Sequence, residues 1–219
     1  KRSLSSYDVN VCEILFPGQY FSKKDNLRGF SWNKSTKNVS YIIWDYDTKT
    51  SKLILRKYNG KDFYGQIKWQ TFSTADNVRA WSYDENSNIC NYIIYDHYKK
   101  KSFLKVRDFN GWNWGMNINT ILLGSSDSFK GWSWNKYKSK ASYIANDVNN
   151  QTFLYIVSFD GKNIGSIEKK IQMSKRNTFR AWNWDMNNNY SNYASYISNG
   201  RNTINFTRSF NGLKFGVVE

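Results

Sequence analysis

One short phrase occurs four times in this chain, and the recurrence restricts its possible folds more than any other feature. Leu27-Arg28-Gly29-Phe30-Ser31-Trp32-Asn33 returns as Val78-Arg79-Ala80-Trp81-Ser82-Tyr83-Asp84. It returns again as Phe129-Lys130-Gly131-Trp132-Ser133-Trp134-Asn135 and as Phe179-Arg180-Ala181-Trp182-Asn183-Trp184-Asp185. The basic residue falls at 28, 79, 130 and 180, so the spacings are 51, 51 and 50. A fixed period in this range marks repeated supersecondary units, none of which can bury its apolar face alone.

Each unit carries further marks in the same order. About 13 residues after the basic residue comes a Tyr-Ile pair at Tyr41-Ile42, Tyr92-Ile93, Tyr143-Ile144 and Tyr196-Ile197. An apolar run then ends in Tyr58-Asn59-Gly60, Phe109-Asn110-Gly111, Phe159-Asp160-Gly161 or Phe210-Asn211-Gly212. Asn-Gly and Asp-Gly accept the positive φ of a two-residue type I′ hairpin turn. A last short strand follows, near residues 66–72 in the first unit. The unit therefore reads as four antiparallel strands, near 27–33, 39–46, 52–58 and 66–72. Helical periodicity is nearly absent.

The two ends of the chain complement each other. Tyr20-Phe21-Ser22-Lys23-Lys24-Asp25 precedes the first phrase as Thr71-Phe72-Ser73-Thr74-Ala75-Asp76 precedes the second. The N-terminal stretch thus resembles a fourth strand without its first three, and only seven residues follow Asn211-Gly212. Units at 26–76, 77–126, 127–176 and 177–219, with 1–25 completing the last, describe an all-β, four-bladed β-propeller closed by its N-terminal strand. A large antiparallel barrel or sandwich is the alternative. The signatures of WD40 and kelch repeats are missing. The layout is similar to sugar-binding propellers with a Trp-rich repeat, and that resemblance implies sugar binding.

Aromatic residues make up 18% of the sequence and proline occurs once, which suits a packed, strand-rich protein rather than a disordered one. No run of about 18 apolar residues occurs, so no membrane-spanning helix is expected. The formal net charge is +15, with lysine clusters at Lys23-Lys24, Lys99-Lys100-Lys101, Lys136/Lys138/Lys140 and Lys169-Lys170. Such charge can be a solvated face that blunts strand edges, or an attraction for an acidic glycan, nucleic acid or lipid head group. Five Asn-x-Ser/Thr triplets begin at Asn33, Asn38, Asn150, Asn189 and Asn205, a number expected by chance in so Asn-rich a chain. Cys12 and Cys90 occupy non-equivalent places and match no metal spacing. The closing unit and the second unit face each other across a four-fold ring, so no disulfide is expected between them.

Signatures of catalysis are missing, and neither an enzyme nor a cofactor nor a metal is expected. His97 is the only histidine and reads as a solvated hairpin residue. Asp45 and Asp47 form a carboxylate pair, but they stand at a strand-to-turn junction, where Asp caps the turn. Paired rings such as Trp132/Trp134 share one strand face and read as packing between units. Trp69, Trp112 and Trp114 have no such repeated partners. Trp112 and Trp114 follow a hairpin turn, and they are the candidate ligand-stacking rings. Arg28, Arg79, Lys130 and Arg180 open the first strand of each unit, which lies innermost in a propeller. They are expected to ring one mouth of the axis, either paired with Asp45, Asp96 and Asp147 or holding an anion.

The function expected from these features is multivalent carbohydrate binding without catalysis, with one similar site per unit. Its partners would be glycans or glycoconjugates, some of them acidic, at an extracellular or cell-surface location. The alternative is a protein- or polyanion-binding module, an adhesin or toxin accessory domain that uses the basic surface. Nucleic acid is the less favoured partner of that charge.

Overall fold

The computed structural model describes residues 19–22, 26–60, 62–125, 128–174, 179–196 and 202–218. The side chains of 19–22, 174, 196, 202–205, 217 and 218 are outside that description. The described residues form strands and turns without helix, and no helix is long and apolar enough to cross a membrane. β1 (Gln19–Ser22) precedes the first repeat. The first sheet is β2 (Leu27–Asn33), β3 (Asn38–Asp45), β4 (Thr50–Tyr58) and β5 (Phe63–Thr71). The second is β6 (Asn77–Asp84), β7 (Ile89–Asp96), β8 (Lys101–Phe109) and β9 (Trp114–Gly124). The third is β10 (Phe129–Asn135), β11 (Lys140–Asn146), β12 (Thr152–Phe159) and β13 (Ile164–Ser174). The fourth is β14 (Phe179–Asp185), β15 (Tyr190–Tyr196) and β16 (Asn202–Phe210), with β17 (Phe215–Val218) and β1 on its outer edge. All pairings are antiparallel, and the four sheets are the blades of a four-bladed β-propeller.

The ring closes by a strand made of two pieces. β17 runs along β16 from Phe210 to Arg208, and β1 continues along it from Asn205 to Asn202. The two pieces together take the place that β5, β9 and β13 each fill alone. Of the expected closing stretch at 10–21, residues 19–21 pair as anticipated and 10–18 lie outside the described residues.

Apolar packing follows from strand alternation. Tyr41 points to one face of its blade and Ile42 to the other, and the two belong to different buried clusters. The described residues form four such clusters, one at each blade junction. Between the third and fourth blades, for example, Trp182, Trp184, Tyr193 and Phe210 meet Ile144, Leu154 and Ile156. The aromatic face of each blade packs on the aliphatic face of the blade before it. Phe30 and Trp32 pack in the same way on Ala181 and Ala194, which joins the first blade to the last. Fully burying one such ring contributes roughly 2–3 kcal/mol.

The first strands meet around the axis, each touching the next and β14 touching β2. A β carbon on Gly29 would stand 2.6 Å from both Cβ and N of Trp81, and one on Gly131 would stand 2.4 Å from Cβ of Trp182. Glycine therefore lets β2 approach β6, and β10 approach β14, more closely than any side chain allows. The serine two residues on completes each approach. Ser31 Oγ donates to Tyr83 O and accepts from Tyr83 N, both at 3.0 Å; Ser133 does the same with Trp184 at 3.0 Å. Ala80 and Ala181 replace glycine at the other two junctions.

The hairpin turns differ from the expected type. Tyr58 pairs with Phe63, so four residues, not two, bridge β4 and β5. Gly60 takes the positive φ, 100°, whereas Asn59 keeps a negative φ and accepts with Oδ1 from Asp62 N at 2.7 Å. Asn110, Asp160 and Asn211 accept in the same way from the two amides ahead of them. The glycine is also needed for space. A β carbon at Gly60, Gly161 or Gly212 would stand 3.3, 3.1 or 2.9 Å from the indole edge of Trp32, Trp134 or Trp184. Each of those indoles donates Nε1–H to the carbonyl that precedes the turn, on Tyr58, Phe159 or Phe210.

Asp45 caps its turn as anticipated, accepting from the amides of Asp47 and Thr48 at 2.8 and 3.2 Å. Cys90 is a free, buried thiol, and burial pushes its pKa well above the ordinary value; Cys12 lies outside the described residues.

Two outcomes follow from this packing. Gly29→Ala and Gly131→Ala should each destabilise the fold by roughly 1–3 kcal/mol, because backbone rather than a mobile side chain blocks the added methyl. Thermal melting reads this as about 2–4 °C per kcal/mol for a chain of this length, and unchanged melting would contradict the close approach. In a Cys12→Ser background, a thiol reagent at neutral pH should leave Cys90 unlabelled in the folded protein and label it fully in denaturant.

Candidate functional site

The four repeated cations converge. Arg28, Arg79, Lys130 and Arg180 line one cavity of about 210 Å³ at one mouth of the axis. The cause is a β-bulge in every first strand. Leu27 pairs with Ile43 and Gly29 with the adjacent Ile42, which leaves Arg28 as the extra residue. The same shift falls at Arg79, Lys130 and Arg180. A bulge re-aims the side chain it frees. Leu27 and Phe30, three apart, both enter one buried cluster, and the residues between them are left to face the axis. Arg28 stacks over Trp44 at 5.8 Å and Arg79 over Tyr95 at 5.9 Å, while Arg180 Nη1 donates to Phe179 O at 2.7 Å.

The carboxylates expected to pair with this ring are engaged elsewhere. Asp45 bonds Lys52 Nζ at 2.5 Å, and that lysine, together with turn amides, holds its pKa well below the usual range. Asp96 accepts from the amides of Tyr98 and Lys99 and lies 3.6 Å from Lys99 Nζ. Asp147 accepts from the amides of Asn149 and Gln151. No carboxylate lines the cavity among the described residues.

The other mouth of the axis is polar and internally satisfied. Asn33, Asp84, Asn135 and Asp185 end the four first strands and border a cavity of about 160 Å³. Each spends its side-chain oxygen on the amides of the turn that follows.

A third and larger cavity, about 510 Å³, opens between the first and second blades. It coincides with one departure from the repeat. The sixth residue of the phrase is Trp in three units and Tyr83 in the second. Tyr83 reaches the turn glycine as the indoles do, its hydroxyl 3.3 Å from the place of a β carbon on Gly111. Tyr83 lines the cleft, and burial, followed by the nearby charge of Glu85, pushes its pKa well above the ordinary value, so its hydroxyl stays protonated. The phrase as a string of letters concealed this site; the signal was the one position where the indole is missing.

Polar groups of several kinds face the cleft. Asn38, Gln66, Lys57 and Lys68 come from the first blade, with Arg56, whose Nε is buried and has no hydrogen-bond partner among the described residues. Glu85 supplies an acceptor and is oriented by Asn33 Nδ2 at 3.3 Å and Thr36 Oγ1 at 2.7 Å.

The candidate tryptophans separate. Trp112 is 40% exposed and follows Asn110 and Gly111, which line the cleft, with Nζ of Lys68, another lining residue, 5.6 Å from its ring centroid. Its carbonyl accepts from Gln70 Nε2, which ties the second-blade loop to the first blade. Trp114 stands where the other units have Phe63, Ile164 and Phe215, each paired with the last residue of the preceding strand. It packs 4.8 Å from Phe109 and 5.3 Å from Phe72, and its guanidinium neighbour is Arg107 at 5.2 Å. Trp114 thus occupies a repeated packing position, filled by a ring in three of the four units. Trp69 is 58% exposed on the outer strand β5, and Lys52 Nζ lies 5.6 Å from its ring. His97 is exposed, but its ring bonds the Asn77 side chain at 2.6 Å and meets Tyr95 edge-on. No metal-holding cluster of His, Cys, Asp or Glu occurs among the described residues.

No protein-family model and no curated protein sequence matches the chain. Solved structures do resemble it. A chain of a nidogen/laminin complex matches over 88% of this chain and 62% of its own length, at 9% identity and a TM-score of 0.45. An exo-beta-1,3-galactanase from Phanerochaete chrysosporium, solved with beta-1,3-galactotriose, matches over 86% of this chain and 47% of its own, at 10% identity and a TM-score of 0.48. The β-propeller domain of the Trilobed protease from Pyrococcus furiosus matches over 89% of this chain and 71% of its own, at 9% identity and a TM-score of 0.39. Likeness at this level concerns chain path and carries no function across.

Proposed function

We infer that this propeller is a carbohydrate-binding protein whose principal site is the cleft between its first two blades. The observation that carries the reading is an exposed ring, Trp112, next in sequence to Gly111 of a large cleft lined by amide, hydroxyl, carboxylate and cationic groups. A sugar ring offers an apolar C–H face for stacking and a rim of hydroxyls that both donate and accept. A few placed polar groups beside an aromatic wall match that chemistry. The excess of Arg56, Lys57 and Lys68 over Glu85 favours glycans with acidic substituents. The reading is narrower than one equivalent site per blade, since Tyr83 and Trp112 mark a single junction. The asymmetry also bears on avidity, which would then require several copies of the chain rather than several blades.

A glycan array read at low and at moderate salt tests this. Binding of neutral or singly charged glycans should change little between the two. A steep fall of all binding with salt would instead support a polyanion-binding module acting through the basic surface. Trp112→Ala should weaken glycan binding by roughly 1–3 kcal/mol, about 5- to 150-fold, with melting little changed. Trp114→Ala should behave oppositely, lowering stability by roughly 3 kcal/mol. Full binding by folded Trp112→Ala would remove the cleft from the function.

A further inference from the structure

We propose that Arg56 is the specificity-determining residue of the cleft between the first two blades, selecting glycans that carry a carboxylate, the sugar acids, over neutral and sulfated ones; this rests on the carbohydrate reading of that cleft. An arginine recurs at one place in three units, as Arg56, Arg107 and Arg208, with Val157 in the third unit. Each guanidinium lies over the ring that follows the hairpin turn. Arg56 stands over Phe63 at 4.8 Å, Arg107 over Trp114 at 5.2 Å and Arg208 over Phe215 at 5.4 Å. The second and fourth units then spend the Nε–H inside the blade. Arg107 donates it to Gly115 O at 3.0 Å and Arg208 to Gly216 O at 3.1 Å.

The first unit breaks this arrangement. Eight positions on from Arg56 stands Tyr64 instead of glycine, and the glycine falls at 65 with a φ of 73°. The ladder changes with it. Arg107 pairs with Asn117 and Arg208 with Val218, whereas pairing in the first unit passes from Leu55 to Lys57 and leaves Arg56 out. Arg56 Nε is buried with no hydrogen-bond partner among the described residues. Of the three arginines, the one whose Nε–H has lost its carbonyl is thus the one that lines the cleft of about 510 Å³. The other charged groups there are held. Lys57 Nζ donates to Thr36 O at 3.1 Å, Lys68 Nζ lies against the Trp112 ring, and Glu85 accepts from Asn33 and Thr36. A guanidinium supported by its face offers Nε–H and a neighbouring Nη–H in one plane, a fork that fits the two coplanar oxygens of a carboxylate. A sulfate ester is tetrahedral and gains most where donors converge from several directions. A turn of the guanidinium on Phe63 gives a ligand carboxylate the Nε–H and ends the cost of leaving that donor unpaired. Glu85 in the same cleft suits a sugar hydroxyl and opposes a second acid group.

Trisaccharides of galactose, glucose and mannose are prepared in four forms that differ at C6: the alcohol, the carboxylic acid, its methyl ester and the sulfate ester. The full chain is titrated with each by calorimetry at neutral pH and constant ionic strength. In the series that binds best, the acid should bind at least about tenfold more tightly than its methyl ester, and more tightly than the sulfate ester. Arg56→Lys keeps the charge and removes the fork, so the ratio of acid to ester affinity should fall to near one. Should that variant not fold, Arg56→Gln gives the same readout, with Lys136→Gln as the control that removes one charge outside the cleft and leaves the ratio unchanged. Equal affinity for acid and methyl ester in the wild type overturns the proposal and leaves the carbohydrate reading standing. So does tighter binding of the sulfate ester. An acid preference that survives intact in folded Arg56→Lys, or in Arg56→Gln where that is the variant measured, also overturns it, because charge elsewhere would then make the selection. Binding of no trisaccharide in any form overturns the proposal and the carbohydrate reading together.

Discussion

The whole architecture depends on one contact, the aromatic face of a blade laid on the aliphatic face of its predecessor. Each blade carries both faces because side chains alternate along its strands, so Tyr41 and Ile42 serve different junctions. Such an interface is head-to-tail. It either propagates without end or closes on itself, and the angle at which the faces meet decides which. Here it closes after four units, with Phe30 and Trp32 of the first blade seated on Ala181 and Ala194 of the last. The protein therefore has no single central core. It has four peripheral cores and an axis lined by the backbones and short side chains of the first strands.

A second order of symmetry lies beneath the four-fold one. Glycine stands at 29 and 131 and alanine at 80 and 181, so every second junction lacks the methyl group. The indole donors follow the same alternation. Trp81 and Trp182 bond Ser40 and Ser142 of the preceding blade at 2.8 and 2.9 Å. At the third blade Trp132 Nε1 and Asn91 Oδ1 are both buried without such a bond. Phe30 has no donor at all, and Asn192 of the blade before it turns to Thr207 at 2.8 Å. The glycine junctions belong to blades one with two and three with four. The cleft of about 510 Å³ opens at one of these glycine junctions, where Tyr83 stands in place of Trp.

Much of this was legible in the letters of the chain. The period gave the blades, and the complementary ends gave the closure at β16. The identity of the repeated cation and its place at the start of the innermost strand gave the ring. What escaped was governed by geometry that composition does not carry. At the turn of Asn59-Gly60 the indole edge of Trp32 lies over the glycine, a contact between strands far apart in the repeat. The bulge at Arg28 could have been read from Leu27 and Phe30, two core residues three apart where alternation demands two or four. Trp114 was set apart by its neighbours in sequence, Trp112 and Asn113, although alignment on Asn110-Gly111 places it with Phe63. Tyr83 was visible as a substitution, but its meaning needed the cleft that it lines.

The two-piece outer strand of the last blade ties the fold to the order in which the chain is made. β1 emerges well before the strand it must pair with, which begins at Asn202, about 180 residues later. At ordinary synthesis rates of 5–20 residues per second, the interval is roughly 10–40 s. Throughout it the three complete blades can form and dock, while the first blade's aromatic face, Phe30 and Trp32 included, has no partner. The nascent protein thus passes through an open crescent that exposes the adhesive ends of a ring, and a second crescent offers the same complementary face. Domain exchange between neighbouring chains on one messenger is the natural hazard of this design.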